Sequence, residues 1–279
     1  MYSGFVSLVG RPNVGKSSII NAVIGRKVTI VSDKPQTTRT RVRGVLHRED
    51  AQIVFVDTPG IHKPVTALGK RVNATAVDSL REVDVSVLVV DATMPFGRGD
   101  RFVADRMDIK KSAVVLNKID VASHAMVAKQ LSALAALDAA AYFPVSAKKG
   151  LGLDALVNWL VAQMPSGDAM YPPDVVRETP DTNWVAELVR EQLLDRMREE
   201  LPYSIATRVT EYEWPRIRCE IVVERESQKG MVIGKGGQML KEVGTAVRKQ
   251  LAEGAYIELH VVVDDEWQER PDRIERLGY

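Results

Sequence analysis

The chain has 279 residues, 45% hydrophobic and 27% charged, which suggests two soluble domains, one with a sizeable core and one smaller. With 38 Lys and Arg against 37 Asp and Glu, the overall balance argues neither for nor against nucleic acid, so any basic surface must be local. The lone Cys219 excludes an intramolecular disulfide and fits a reducing, cytoplasmic compartment; His47, His62, His124 and His260 lack metal-ligand spacing, and no uncharged apolar run approaches the ~18 residues of a membrane span.

Residues 1–164 alternate short apolar β-rich runs with helical stretches. Phe5–Val9 reads as a strand and the segment after Lys16 as a helix. Arg41–Arg48 and Gln52–Val56 bracket Glu49-Asp50 as a hairpin. Val85–Val90, Ala113–Leu116 and Tyr142–Val145 read as buried strands, with helical patterns near 67–82, 99–108, 125–137 and 153–163. Such alternation predicts an α/β domain, a mostly parallel sheet with helices on both faces and one antiparallel edge strand from the hairpin. Residues 165–182 carry Pro165, Pro172, Pro173 and Pro180 without periodicity and read as a linker. Residues 183–279 follow the order α-β-β-α-α-β, an α+β unit with a C-terminal tail.

Gly10-Arg11-Pro12-Asn13-Val14-Gly15-Lys16-Ser17 fits GxxxxGK[ST], placed after a strand and at a helix start. Gly10, Asn13, Val14, Gly15 and Ser18 are expected to cradle phosphate with backbone N–H groups. Lys16 would reach the terminal phosphates, and the Ser17 hydroxyl would hold Mg²⁺. Asp57-Thr58-Pro59-Gly60 follows a strand; its carboxylate suits Mg²⁺, and the Gly60 N–H suits a γ-phosphate. In the polar stretch before the hairpin, Thr38 is favoured over Thr37 as the hydroxyl that completes the metal shell. Lys16, Thr38 and Gly60 form the expected catalytic set, and Ser17, Thr38 and Asp57 the metal set.

Asn117-Lys118-Ile119-Asp120 follows a buried strand. The Asp120 carboxylate can accept both N1–H and N2–H of guanine, which adenine does not offer. The Lys118 stem can lie over the base, and Asn117 can tie the loop to the phosphate loop. Ser146, Ala147 and Lys148 could donate backbone N–H groups to guanine O6. Ile61 stands where many GTPases place a water-orienting glutamine, so hydrolysis must use backbone groups, an ion, a partner, or the neighbouring His62, whose other reading is a surface loop residue.

In the second domain, Gly234-Lys235-Gly236-Gly237 is a glycine-flanked turn between helices. Glycine lets a nucleic-acid backbone approach, Lys235 supplies charge, and Ile233 lines either an adjoining apolar groove or the core. Lys229, Lys241, Arg248 and Lys249 lie nearby. Arg39, Arg41 and Arg43 alternate along one strand face, as a contact surface or a solvated one.

Over essentially its whole length the chain resembles the Era family of bacterial ribosome-assembly GTPases. The resemblance rests on GRPNVGKS at Gly10–Ser17, Pro35–Arg39, Asp57–Gly60, Asn117–Asp120, Ser146–Lys148, Glu200–Ser204, Val223–Glu226, Val232–Gly237 and Leu277–Tyr279. It implies a P-loop GTPase domain followed by a type II KH domain. GTP/GDP and Mg²⁺ are the implied ligands, with a monovalent cation, K⁺, suggested by Asn13. The implied partners are single-stranded ribosomal RNA near the 3′ end of the small-subunit RNA, held at Ile233–Gly237, and the small ribosomal subunit. The expected molecule is a cytoplasmic, monomeric switch with slow intrinsic hydrolysis, open to peripheral contact with the inner membrane face. Two other readings fit the same residues: an RNA-binding protein with a structural, barely hydrolytic nucleotide site, and a membrane-associated signalling GTPase.

Overall fold

The structure, a computed structural model, describes residues 1–61, 66–79 and 82–279. The chain forms two compact units. In the first, β1 (Tyr2–Val9), β3 (Ala51–Asp57), β4 (Val85–Asp91), β5 (Ala113–Asn117) and β6 (Ala141–Pro144) are parallel, and β2 (Val42–His47) is antiparallel at one edge, in the order β2-β3-β1-β4-β5-β6. This is the mostly parallel sheet with one antiparallel edge strand that the sequence pattern predicts.

Alternation along the central strands decides which side chains meet which helices. Val6, Leu8, Phe55, Val87 and Val115 join Ile19 and Ile20 of α1 (Lys16–Ile24) and Leu156 and Leu160 of α5 (Leu153–Gln163) in one core. Their neighbours Val9, Leu88, Val90, Val114 and Leu116 join Val103 of α3 (Arg98–Ala104) and Leu134 of α4 (His124–Ala135) on the other face. Covered on both sides, β3 and β5 are buried at every position. The α2 helix spans Ala67–Asp78. Because the strands are parallel, Gly10–Ser17, Asp57–Gly60, Asn117–Asp120 and Ser146–Lys148 all follow carboxyl ends on one side of the sheet, where open α/β sheets bind ligands.

The stretch 165–182 is only partly a linker, because the first unit extends through Glu178. Ser3 N donates to Pro165 O at 3.0 Å and Gln52 Oε1 accepts from Met170 N at 2.7 Å and Tyr171 N at 3.0 Å. Val45 N donates to Val176 O at 3.0 Å, Glu178 N to Arg43 O at 3.2 Å, and Gly44 bridges Arg177 along β2. Prolines remove donors, yet the remaining backbone groups find partners in strands far away in sequence. Arg43 also grips Glu178 with bonds of 2.9 and 3.1 Å. Arg41 pairs with Glu82 and Arg39 is buried, so the three arginines do not form an open basic face.

In the second unit, α6 (Asp181–Arg196), α7 (Leu201–Ser204), α8 (Glu226–Ile233) and α9 (Gln238–Arg248) accompany β7 (Ala206–Glu213), β8 (Arg216–Val223) and β9 (Tyr256–Val263). The sheet order is β7-β8-β9, antiparallel then parallel. Leu188, Val189 and Leu193 pack with Ile221, Val223, Val232, Val243 and Val247 in its core. The expected tail is folded: Trp267 is fully buried, its Nε1 donates to Ser204 O at 3.0 Å, and α10 spans Pro271–Arg276. A large indole with a satisfied N–H anchors this segment.

Candidate nucleotide and RNA sites

Asn117 joins three segments. Its Nδ2 donates to Val14 O at 2.9 Å, and its Oδ1 accepts from Ala147 N at 3.1 Å. Gly15 passes so close, at φ +97°, that a Cβ there would lie 2.2 Å from Asn117 Nδ2. Only glycine satisfies both the left-handed backbone and the contact. The phosphate-loop motif and the base-reading motif are therefore one unit.

Lys16 is buried, and its Nζ donates to Gly10 O at 3.3 Å and Arg11 O at 3.1 Å. Burial pushes its pKa down to about 8, against the upward pull of the Asp57 carboxylate. Asp57 is itself fully buried, which pushes its carboxyl upward against hydrogen bonds from Ser17, Thr29 and Thr38 and the charge of Lys16.

Asp57 Oδ2 accepts from Ser17 Oγ at 2.7 Å, Thr29 Oγ1 at 2.7 Å and Thr38 Oγ1 at 3.2 Å, and the Ser17 and Thr38 hydroxyls lie 3.2 Å apart. Thr37 instead donates to Lys34 O at 2.6 Å. Asp57 Oδ1 is buried without a partner. An orphaned carboxylate oxygen beside two hydroxyls is a hard-oxygen donor set, which fits Mg²⁺. Among the described residues no group of three His, Cys, Asp or Glu could hold a metal, so a cation here would need ligand oxygens as well.

At the base-reading end, Ser146 Oγ donates to Asp120 Oδ1 at 2.7 Å and Lys118 Nζ to Asn13 O at 2.8 Å. Lys148 is exposed. An open depression of about 400 Å³ is lined by Ser18, Asn21, Val31 and Ala147, among others. Ile61 is buried in the core, its N–H bonded to Gly10 O at 3.2 Å, so its side chain faces away from solvent. Gly60 follows β3 as expected, and His62 lies outside the described residues. Thr29, which holds Asp57, and Asn21, whose side chain holds Val28 N and Thr29 N at 2.9 and 3.1 Å, escaped the sequence reading. No motif marks them; only the fold brings them to the site.

The Lys16 environment makes binding pH-dependent. In the free protein this lysine is half neutral near pH 8, and phosphate oxygens beside it would raise its pKa. Binding of GDP without Mg²⁺ should then take up a fraction of a proton around pH 8. Affinity should be full below pH 8 and fall as pH climbs through the higher bound-state value. Calorimetry in buffers of different ionisation heat measures the uptake; zero uptake across the range from about one unit below to about two units above pH 8 would place the phosphates elsewhere.

In the second unit, Gly234 sits at φ +74°, ψ 170° between α8 and a turn at Lys235–Gly237. A Cβ on Gly234 would lie 2.8 Å from that of Met239. Lys235 and Gly236 are exposed, and Ile233 is half-buried against the core. Half-buried Ile257 and Leu259 adjoin Gly244 of α9. Across the sheet, Arg208 pairs with Glu220, Arg216 with Glu258, and Arg218 with Glu258 and Glu211. Those charges are internally matched and weakly stabilising. Lys235 at the turn, Lys241 on α9 and Lys249 just after it are exposed cations on or near the glycine turn and α9.

The fold and these sites define a P-loop GTPase domain followed by a KH domain. Residues 5–118 match the family described as 50S ribosome-binding GTPase, and residues 200–268 match the KH domain. The chain is 44% identical to the GTPase Era of Mycolicibacterium smegmatis over 294 residues, covering 99% of this chain and 98% of that protein. It is 42% identical to the GTPase Era of Nocardioides sp. over 300 residues, covering 99% and 96%. A crystal structure of Era in complex with MgGDPNP and nucleotides 1506–1542 of 16S ribosomal RNA superposes with a TM-score of 0.95 at 37% identity, covering 100% of this chain and 99% of that one. The chain belongs to the Era family of GTPases.

Proposed function

We propose that this protein binds GTP and GDP with Mg²⁺, hydrolyses GTP, and uses its KH domain to hold single-stranded 16S ribosomal RNA near the 3′ end during assembly of the small ribosomal subunit. The observation that carries the nucleotide half is the Asn117 bridge, with bonds of 2.9 Å to Val14 O and 3.1 Å from Ala147 N. It supports a single site that reads base and phosphates together. The RNA half rests on the relative solved with a 16S fragment and on the exposed Lys235 of the Gly234–Gly237 turn.

In this reading Ser17, Thr38 and Asp57 hold Mg²⁺, which when bound neutralises phosphate oxygens. Lys16 and the backbone of Gly10–Ser18 hold the phosphates, and the Gly60 N–H serves the γ-phosphate. Asp120, oriented by Ser146, reads guanine, while Lys118 and Ala147 flank it, with Lys148 at the outer rim. Thr38 is released when the γ-phosphate leaves, which couples hydrolysis to the state of its loop. Ile61 offers no amide to orient water, so intrinsic turnover is slow. The reading includes K⁺ at Asn13, and exchanging KCl for NaCl should then slow hydrolysis at constant ionic strength.

We also place the protein in the cytoplasm as a monomer, with a nucleotide domain over 1–164 that the fold carries on through Glu178, and an RNA domain over 183–279. Contact with the inner membrane face would be peripheral, because among the described residues no helix is long and apolar enough to cross a membrane. Flotation with vesicles of anionic lipid tests that extension. Crosslinking to RNA in cells, with sequencing of the bound fragments, tests the main reading; fragments scattered outside small-subunit RNA would sink it.

A further inference from the structure

At the carboxyl end of β4, outside every sequence motif of the nucleotide site, stands Asp91. Its Oδ2 accepts from Lys118 Nζ at 2.6 Å, and its Oδ1 accepts from Thr93 N at 2.8 Å and Thr93 Oγ1 at 2.6 Å. The Asp91 side chain is 15% exposed and that of Lys118 35%, so the carboxylate is largely shielded from water while the lysine stem is partly open to it. Burial alone would raise the Asp91 pKa, but the bonds from Lys118 and Thr93 outweigh it and hold the carboxyl below its ordinary value. The group is therefore an anion at neutral pH.

Lys118 is the unusual partner. Its backbone sits at φ +68°, a left-handed conformation that costs a non-glycine residue free energy and persists where its surroundings fix it. Its Nζ has two acceptors, Asp91 Oδ2 and the phosphate-loop carbonyl Asn13 O at 2.8 Å. With the ammonium pinned at one end and the backbone at the other, the four-carbon stem between them is held taut. A free lysine stem would sample many rotamers, and ordering it at the moment of binding would weaken binding. Asp100, which lines the same depression as Lys118, is engaged by Gly97 N at 3.0 Å and Arg11 Nη1 at 3.4 Å, and the ion pair of Lys118 is with Asp91.

We propose that Asp91 is a positioning residue of the nucleotide site, a carboxylate that anchors the Lys118 ammonium to the phosphate loop, preorganises the lysine stem as a wall for the guanine base, and thereby slows nucleotide release. This rests on the guanine-nucleotide reading of Asn117–Asp120. Asp91 itself touches no base and no phosphate in this scheme; all of its effect passes through Lys118. Thr93 in turn keeps the carboxylate aimed.

A double-mutant cycle tests it, with release of a fluorescent GDP analogue followed by stopped flow. Asp91→Ala should speed release by about 5- to 30-fold, the range for a partly exposed charge-assisted bond. Asp91→Asn, which keeps the shape and the Thr93 bonds but loses the charge, should fall between it and the wild type, and it carries the test if the alanine variant does not fold. Thr93→Val should give a smaller acceleration of about 2- to 5-fold. In a Lys118→Ala background, Asp91→Ala should add less than about twofold, because the group it acts through is gone. Additive effects would overturn the proposal, since Asp91 would then act by another route. So would unchanged release in both Asp91 variants while Lys118→Ala accelerates it. Unchanged release in Lys118→Ala would instead overturn the assignment of the base site, and the positioning role with it.

Discussion

Asp120→Asn is expected to lose GTP affinity by about 10- to 150-fold, the equivalent of one charge-assisted hydrogen-bond set, and to gain affinity for xanthosine triphosphate. The carboxylate offers acceptors to the guanine N1–H and N2–H groups. An amide in its place turns one acceptor into a donor, and xanthine presents an oxygen where guanine has its amino group. The structure favours a clean exchange: Ser146 Oγ donates to Asp120 Oδ1 at 2.7 Å, and an asparagine Oδ1 can accept the same bond. The amide nitrogen is then left facing the base. Competition of both triphosphates against a fluorescent GDP analogue measures the switch. Undiminished GTP binding by the variant would show that another group reads the base.

Replacing Lys235 and Gly236 together by Asp should remove most RNA binding and leave basal GTP hydrolysis near the wild-type rate. Two negative charges would stand where phosphates are to approach. The site tolerates the change: both residues are exposed, a Cβ on Gly236 meets nothing within 4 Å, and its φ of +59° lies in the region that Asp adopts more readily than most residues. Gly234 and Gly237 stay, so the tight start of the turn survives. Wild-type affinity should fall with salt at a log–log slope of about −0.7 per neutralised phosphate, and the residual binding of the variant should have a shallower slope. RNA affinity that survives the double substitution would refute the assignment of the turn. Lost basal hydrolysis in a folded variant would refute the separation of roles.

The nucleotide site was legible in the sequence because its chemistry constrains residue type at fixed spacing. Gly15 has to be glycine next to Asn117, and Asp57 has to be a carboxylate next to Ser17. The choice of Thr38 over Thr37 was weaker at sequence level; two adjacent threonines carry the same hydroxyl, and backbone direction alone sends one toward Asp57 and the other toward Lys34 O. Thr29 and Asp91 were invisible for a different reason. Each acts on a motif residue through a contact across 28 or 27 positions of sequence, and neither spacing is local. Asp91 did leave one trace, an acid ending the apolar run Val85–Val90. The proline-rich stretch was misread because its partners lie more than a hundred residues upstream. The folded C-terminus was missed because one buried indole, Trp267, does the work that periodicity does in longer helices.

That proline-rich stretch bears on how the nucleotide domain behaves if it is cut free. An edge strand exposes a row of unpaired N–H and C=O groups, a template on which a second chain can add and aggregate. Here β2 is such an edge, and Val176–Glu178 lies along it, occupying Val45 N and Arg43 O. Proline on the flanks keeps the added segment from itself growing into a sheet. A fragment ending at residue 164 would shed this cover and present a bare strand, so it should form sheet-rich aggregates on concentration. One ending at Glu178 should stay dispersed, which makes Glu178 the natural place to trim the chain for work on the nucleotide domain alone.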